Sequence, residues 1–299
     1  MAAIGGITAA AVTPRREGPE IDLAATFELI DFLGSSGVSS ISLFGSTGEF
    51  VHFTTEDRSR VISLAVKRSK RPVIAGVAHS TLDGAVAMGR EAAGAGAAAL
   101  LLMPPYFYGY QQEDIREFYR CFARELAGAA PILLYNAPAS ATAIAPETAI
   151  ELMESGEFTG IKDSSGRWEN FARLRAARDH SRFTLLVGQE TLYAPARQAG
   201  ADGAISGVAC AVPELMLALD LAIVSTNAEK TRRLDARLQE FLAWAEYFPP
   251  PMLLREAVAA RGLRVGPHAA PLGPEGRAKL AEFHEWFRGW LPAVRKECA

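Results

Sequence analysis

Residues 159–166 read Thr-Gly-Ile-Lys-Asp-Ser-Ser-Gly. An apolar start that runs into a polar, glycine-terminated turn is the signature of a short buried strand reaching its carboxyl end, and residues 168–178 beyond it have helical spacing. This strand-then-helix unit recurs eight times. Strand candidates lie at 7–12, 40–44, 73–77, 98–103, 132–135, 160–162, 184–187 and 203–206. Each is short and largely apolar without clean alternation, as strands buried on both faces of a parallel sheet are. Helical stretches follow at 23–33, 56–67, 82–93, 112–126, 146–153, 168–178, 191–198 and from 212 onward. Asp22, Thr54 ahead of Glu56 and Asp57, and Pro146 with Glu147 mark helix starts. Gly34, Gly37, Gly94, Gly96 and Gly200 are read as helix ends. Eight βα units in about 225 residues predict an α/β fold, a (β/α)8 TIM barrel, with a doubly wound open sheet as the alternative.

After Ser206 the pattern turns to helices only, at 212–225, 228–247, 252–261 and 275–290, broken by Phe248-Pro249-Pro250-Pro251 and by residues 262–267. The expected division is a barrel over 1–224 and a C-terminal helical extension over 225–299. Leu238, Phe241, Leu242, Trp244, Phe283, Trp286, Phe287 and Trp290 recur at helical spacing, so the extension must pack on the barrel or on a neighbouring subunit.

Composition narrows the function classes. The 299-residue chain is 49% hydrophobic with a formal charge of −3, which offers no electrostatic reason to bind nucleic acid or an anionic membrane. Its one basic run, 67–71, falls where a helix ends and complements the helix dipole. Cys121, Cys210 and Cys298 are too few and too scattered for a disulfide framework or a metal knuckle, so a cytoplasmic location is expected. Residues 1–14 run straight into Pro14 without a charged start and read as a strand, not a signal peptide. No apolar run reaches the 18 to 20 or so residues of a membrane helix.

The chain has 31 lysines and arginines, of which only Lys67, Lys70, Lys162, Lys230, Lys279 and Lys296 are lysines. Lys162 stands alone between residues 71 and 229, at the carboxyl end of the sixth strand, where barrel active sites lie. A desolvated amine there can lose its proton and attack a carbonyl, which arginine cannot do. The structural alternative is a strand-end lysine paired with Asp163. Other strand ends add complementary groups. The second ends in Gly45-Ser46-Thr47-Gly48-Glu49, a turn with hydroxyls and amides suited to a carboxylate, or else a plain turn. The fourth ends in the aromatic loop Met103–Tyr110, the fifth in Tyr135-Asn136-Ala137-Pro138, the eighth in Gly203-Ala204-Ile205-Ser206-Gly207. Together they describe Schiff-base chemistry on a 2-oxo acid: Lys162 attacks the keto carbon, the Ser46–Thr47 turn holds the carboxylate and Tyr135 relays protons. The iminium is the electron sink, so no cofactor is expected. His52, His79, His180, His268 and His284 show no i, i+4 pair or nearby carboxylate cluster, so no metal site is expected.

Five motifs in this order, G-S-T-G-E at 45–49, P-P-Y-F-Y at 104–108, Y-N-A-P at 135–138, G-I-K-D-S-S-G at 160–166 and G-A-I-S-G at 203–207, resemble the dihydrodipicolinate synthase / N-acetylneuraminate lyase family of class I pyruvate-dependent aldolases. The resemblance runs from Gly6 to about residue 272. It implies that Lys162 is the Schiff-base lysine, Tyr135 the proton relay, Ser46 its hydroxyl partner, Thr47 the carboxylate anchor and Ile205 a carbonyl lining the site. Gly48, Tyr106, Phe107 and Ser140 are further expected substrate contacts. It also implies a homotetramer, a dimer of dimers. The sequence departs from the synthase pattern in three places. Ala139-Ser140-Ala141-Thr142 carries no arginine where the synthases pair one with the aldehyde's carboxylate, Phe107 replaces a relay tyrosine, and Gly266-Pro267-His268-Ala269 lacks a late arginine. The expected activity is therefore that of an N-acetylneuraminate lyase or 2-keto-3-deoxy sugar-acid aldolase. Condensation of pyruvate with aspartate semialdehyde, a Schiff-base sugar-acid dehydratase, and a non-catalytic 2-oxo-acid-binding regulator are the alternatives.

Overall fold

The computed structural model describes residues 4–299. The first three residues of the expected leading strand segment lie outside the described residues. The eight units follow in order: β1 (Gly6–Ala10) and α1 (Leu23–Ser36), β2 (Ser40–Leu43) and α2 (Thr55–Arg68), β3 (Val73–Gly76) and α3 (Leu82–Ala95), β4 (Ala99–Leu102) and α4 (Gln112–Leu126). Then come β5 (Ile132–Asn136) and α5 (Pro146–Glu154), β6 (Gly160–Asp163) and α6 (Trp168–Ala177), β7 (Thr184–Val187) and α7 (Tyr193–Gln198), and β8 (Gly203–Ser206) with the short α8 (Val208–Ala211) and α9 (Pro213–Val224). Each strand pairs in parallel with the next, and β1 pairs with β8 through Ile7 and Ala204, so the sheet closes into a barrel. Closure leaves no sheet edge, which rules out the doubly wound alternative.

Local signals explain the helix ends. Asp22 accepts from the Ala25 amide and Thr54 from the Asp57 amide, while Pro146 opens α5. Gly37 and Gly96 close α1 and α3 at φ 94° and 89°. Gly34 and Gly94, read above as helix ends, lie inside those helices, because the last turn gains more by continuing to a residue that can adopt the left-handed conformation. α7 is shorter than expected, since residues 190–192 form a 3-10 turn instead.

The helical extension comprises α10 (Ala228–Ala243), α11 (Met252–Ala260) and α12 (Pro274–Cys298). It packs on the barrel: α10 and α12 lie against α9, and α11 against α8. Phe241 of α10 meets Phe287 at 6.1 Å and Trp290 at 5.7 Å between ring centroids, and Trp286 stacks on Trp290 at 4.9 Å. α12 runs eight residues past the expected end at Trp290, straight through Pro292. The lost hydrogen bond is outweighed by burial of Leu291 and Val294. Among the described residues no helix is long and apolar enough to cross a membrane.

Candidate active site

The register of β5 on β6 sets Tyr135 opposite Lys162. Side chains at paired positions project from the same face of a sheet, and both project into the barrel mouth. The Lys162 amine lies 4.3 Å from the centre of the Tyr135 ring, and the phenol oxygen is 3.0 Å from Ser46 Oγ, which arrives from the far side of the barrel after β2. Lys162 is 4% exposed and Tyr135 4%. Asp163, one residue on, points to the opposite side. Its carboxylate accepts from Asn136 Nδ2 at 2.8 Å, Ser165 Oγ at 2.8 Å and the Ser165 amide at 3.1 Å. The Lys162–Asp163 pair considered as the structural alternative is not formed, and among the described residues no carboxylate lies within ion-pair distance of Lys162. Burial raises the Asp163 carboxyl above its usual range, with these hydrogen bonds opposing. Burial would also raise the Tyr135 phenol, but the Lys162 charge and the Ser46 hydrogen bond outweigh it and leave the phenol below its ordinary value.

Space for the amine comes from Gly188, just after β7. A Cβ there would collide with Ser164 Oγ and sit 2.7 Å from Lys162 Cε. Gly207 plays the same part after β8, where a Cβ would collide with Leu254 and lie 3.3 Å from Thr47 Oγ1.

These groups open on a cavity of about 590 Å³. Ser46, Thr47, Tyr106, Tyr135, Ser140, Lys162 and Ile205 all line it. Gly48 and Phe107 do not. The Gly48 amide is bound to the Gly45 carbonyl and its own carbonyl accepts from Thr13 Oγ1 at 2.7 Å, so the residue shapes the turn from behind. The amides of Ser46 and Thr47 have no main-chain acceptor among the described residues. Phe107 sits at φ 84° and is 86% exposed, its ring edge-on to Tyr108. Tyr106, by contrast, turns inward and packs on Phe50 at 5.3 Å.

Sequence reasoning missed several groups. Ser164 lines the cavity with its hydroxyl buried and unpartnered. Glu190 Oε1 accepts from Ser206 Oγ at 2.8 Å and from the Val208 amide at 3.2 Å. Glu49, at φ 52°, is held by Arg255 of α11 at 2.8 Å, and the same guanidinium donates to the carbonyls of Thr13 and Val265. The acid of G-S-T-G-E was a signal for a buried cation, but 206 residues of separation hid which one. The extension adds Phe241, Leu242, Phe248 and Leu254 to the wall. His268 and His284 share the Glu256 carboxylate, at 2.5 and 2.8 Å, and His52 lies 3.4 Å from Glu49.

A model of the dihydrodipicolinate synthetase family matches residues 3–288. Among curated relatives, the 4-hydroxy-tetrahydrodipicolinate synthase of Methanothrix thermoacetophila is 28% identical over 93% of this chain and 95% of its own. That of Salinibacter ruber is 32% identical over 90% and 89%. Among solved structures, the 4-hydroxy-tetrahydrodipicolinate synthase of Methylacidiphilum fumariolicum SolV superposes with a TM-score of 0.90 at 25% identity, covering 99% of this chain and all of that one.

Proposed function

The chain belongs to the dihydrodipicolinate synthetase family of class I pyruvate-dependent aldolases, and from that premise we propose that it makes or breaks a carbon–carbon bond next to pyruvate through an iminium on Lys162. The observation that carries this reading is the buried amine without a carboxylate partner, 4.3 Å from the phenol ring of Tyr135, whose oxygen is 3.0 Å from Ser46. In this reading Lys162 adds to the keto carbon and water leaves as the iminium forms. Tyr135, its proton shared with Ser46, gives that proton to the departing hydroxyl and recovers one later. The substrate carboxylate sits on the amides and hydroxyls of Ser46 and Thr47. The methyl carbon beside the iminium then loses a proton to the Tyr135 phenolate, and the electrons of that C–H bond move toward the iminium to give the enamine that attacks an aldehyde; cleavage runs the same steps backwards. The chemistry calls on no added cofactor.

The names of the relatives favour condensation with aspartate semialdehyde, placed second on sequence, over the sugar-acid lyase placed first. The missing arginine at 139–142 argues the other way, since a carboxylated aldehyde loses its bidentate partner. Borohydride reduction in the presence of pyruvate tests the core of the reading. The expected result is a covalent mass increase on the peptide containing Lys162, absent in Lys162→Ala, whose turnover drops by at least about 10³-fold. No adduct on intact wild-type protein at neutral pH would sink it.

A further inference from the structure

The cavity of about 590 Å³ lies within the ~300–1,000 Å³ range of sites for drug-sized ligands and is much larger than pyruvate needs. Its lining limits what else can enter. Among the described residues, Lys162 is the only cation that lines it, and Lys162 is taken up by the keto carbon. The two lining carboxylates are both engaged, Glu49 with Arg255 and Glu190 with Ser206 and Val208. A second substrate bearing a carboxylate would therefore meet no cation and would approach two acids. A polyhydroxylated one would find Ser140, Ser164, Gln189 and Glu190 on the barrel side but no hydrogen-bonding side chain on the extension, where Phe241, Leu242, Ala245, Phe248, Leu253 and Leu254 form the wall.

Resting on the Schiff-base reading above, we infer that the aldehyde this enzyme joins to pyruvate, or releases from it, is uncharged with an apolar aliphatic or aromatic body. The methyl-derived carbon of the enamine forms the bond to the aldehyde carbon as the enamine electrons move out and the iminium returns. The electron pair of the breaking C=O bond goes to oxygen, which takes the Tyr135 proton. Water then adds to the iminium carbon and expels the Lys162 amine, giving a 4-hydroxy-2-oxo acid. Ser164, its hydroxyl buried beside Lys162 and Tyr135, lines the same cavity and adds a neutral polar group but no charge.

Initial rates with pyruvate and each of butanal, benzaldehyde, aspartate semialdehyde and glyceraldehyde test the inference. The expected kcat/KM for butanal or benzaldehyde exceeds that of the other two by at least about 10-fold, the discrimination a pocket makes on apolar fit. Equal or faster turnover of aspartate semialdehyde or glyceraldehyde, or no turnover of the apolar pair, overturns it. If borohydride still traps pyruvate on Lys162 in that case, only the inference falls; if trapping fails, the Schiff-base reading falls beneath it. Ser140→Arg, which places a cation at the exposed rim of the cavity, is expected to move the aspartate semialdehyde/butanal ratio upward by about 10-fold or more. An unchanged ratio counts against the claim that missing charge sets the preference.

Discussion

Lys162 and Asp163 are neighbours in sequence and strangers in space. Strand alternation sends the amine to the cavity and the carboxylate to Asn136 and Ser165, so the amine is left without an ion-pair partner while the acid ties β6 to β5. Tyr135 depends on this arrangement twice, because the amine both faces its ring and lowers its pKa. Tyr135→Phe is expected to cut kcat by about 10²–10⁴-fold, the usual share of a positioned proton relay, with pyruvate trapping slowed but still on Lys162. A phenol that must carry its proton loses activity as pH rises through its lowered pKa. The alkaline limb of the wild-type rate profile should therefore lie below the ordinary phenol value of 10.0 and be absent from the residual rate of the phenylalanine variant. A limb unchanged by the substitution would assign it to another group.

At the level of elements, the turn after β2 and helix α11 act as one piece. Arg255 is fully buried and Glu49 8% exposed, and the guanidinium spreads its bonds over Thr13, Glu49 and the chain at Val265–Pro267. Removing one member of such a pair strands a buried charge, so Glu49→Ala should cost about 3–5 kcal/mol in denaturant unfolding. It should also raise the KM for pyruvate, because the Ser46–Thr47 turn loses its anchor. A loss under 1 kcal/mol or so would mean that water reaches Arg255. A second tie joins α11 to α12 through Glu256, between His268 and His284. Burial opposes ionisation of Glu256, but the two histidines win and hold its pKa below 4.5. A depressed carboxyl contributes stability above its unfolded pKa and loses it as pH falls through the folded one. Glu256→Gln should thus lower stability at neutral pH by about 1.5–3 kcal/mol, with the gap to wild type closing below about pH 4.5. Thermal melts from pH 7 to 3 would read this, and a gap constant with pH would refute the linkage.

For the whole molecule, large apolar side chains are exposed on several faces among the described residues: Val51, Phe107 and Tyr108 in the turns after β2 and β4, Trp168 at the start of α6, Leu221 and Val224 on α9, and Tyr247 after α10. Exposed apolar side chains on more than one face suit the assembly of a dimer of dimers, so sedimentation is expected to give the mass of four chains, and a monomer at micromolar concentration would refute that. The βα repeat, the strand ends and the converging motifs around Lys162 were all legible in the sequence, because a period of apolar residues and the identity of strand-end residues are local properties. Strand bounds erred by one or two residues where a turn and a strand share the same residue types. Other features were not local. Glu49 with Arg255, Glu256 with its two histidines, and the apolar wall that α10 and α11 bring to the cavity each join residues far apart in sequence. By itself the sequence determined a closed family of βα units and a lysine at the rim. Only the tertiary structure decided what surrounds that lysine, because the partners of a buried charge and the far wall of a cavity are chosen by how distant elements pack, not by the residues next along the chain.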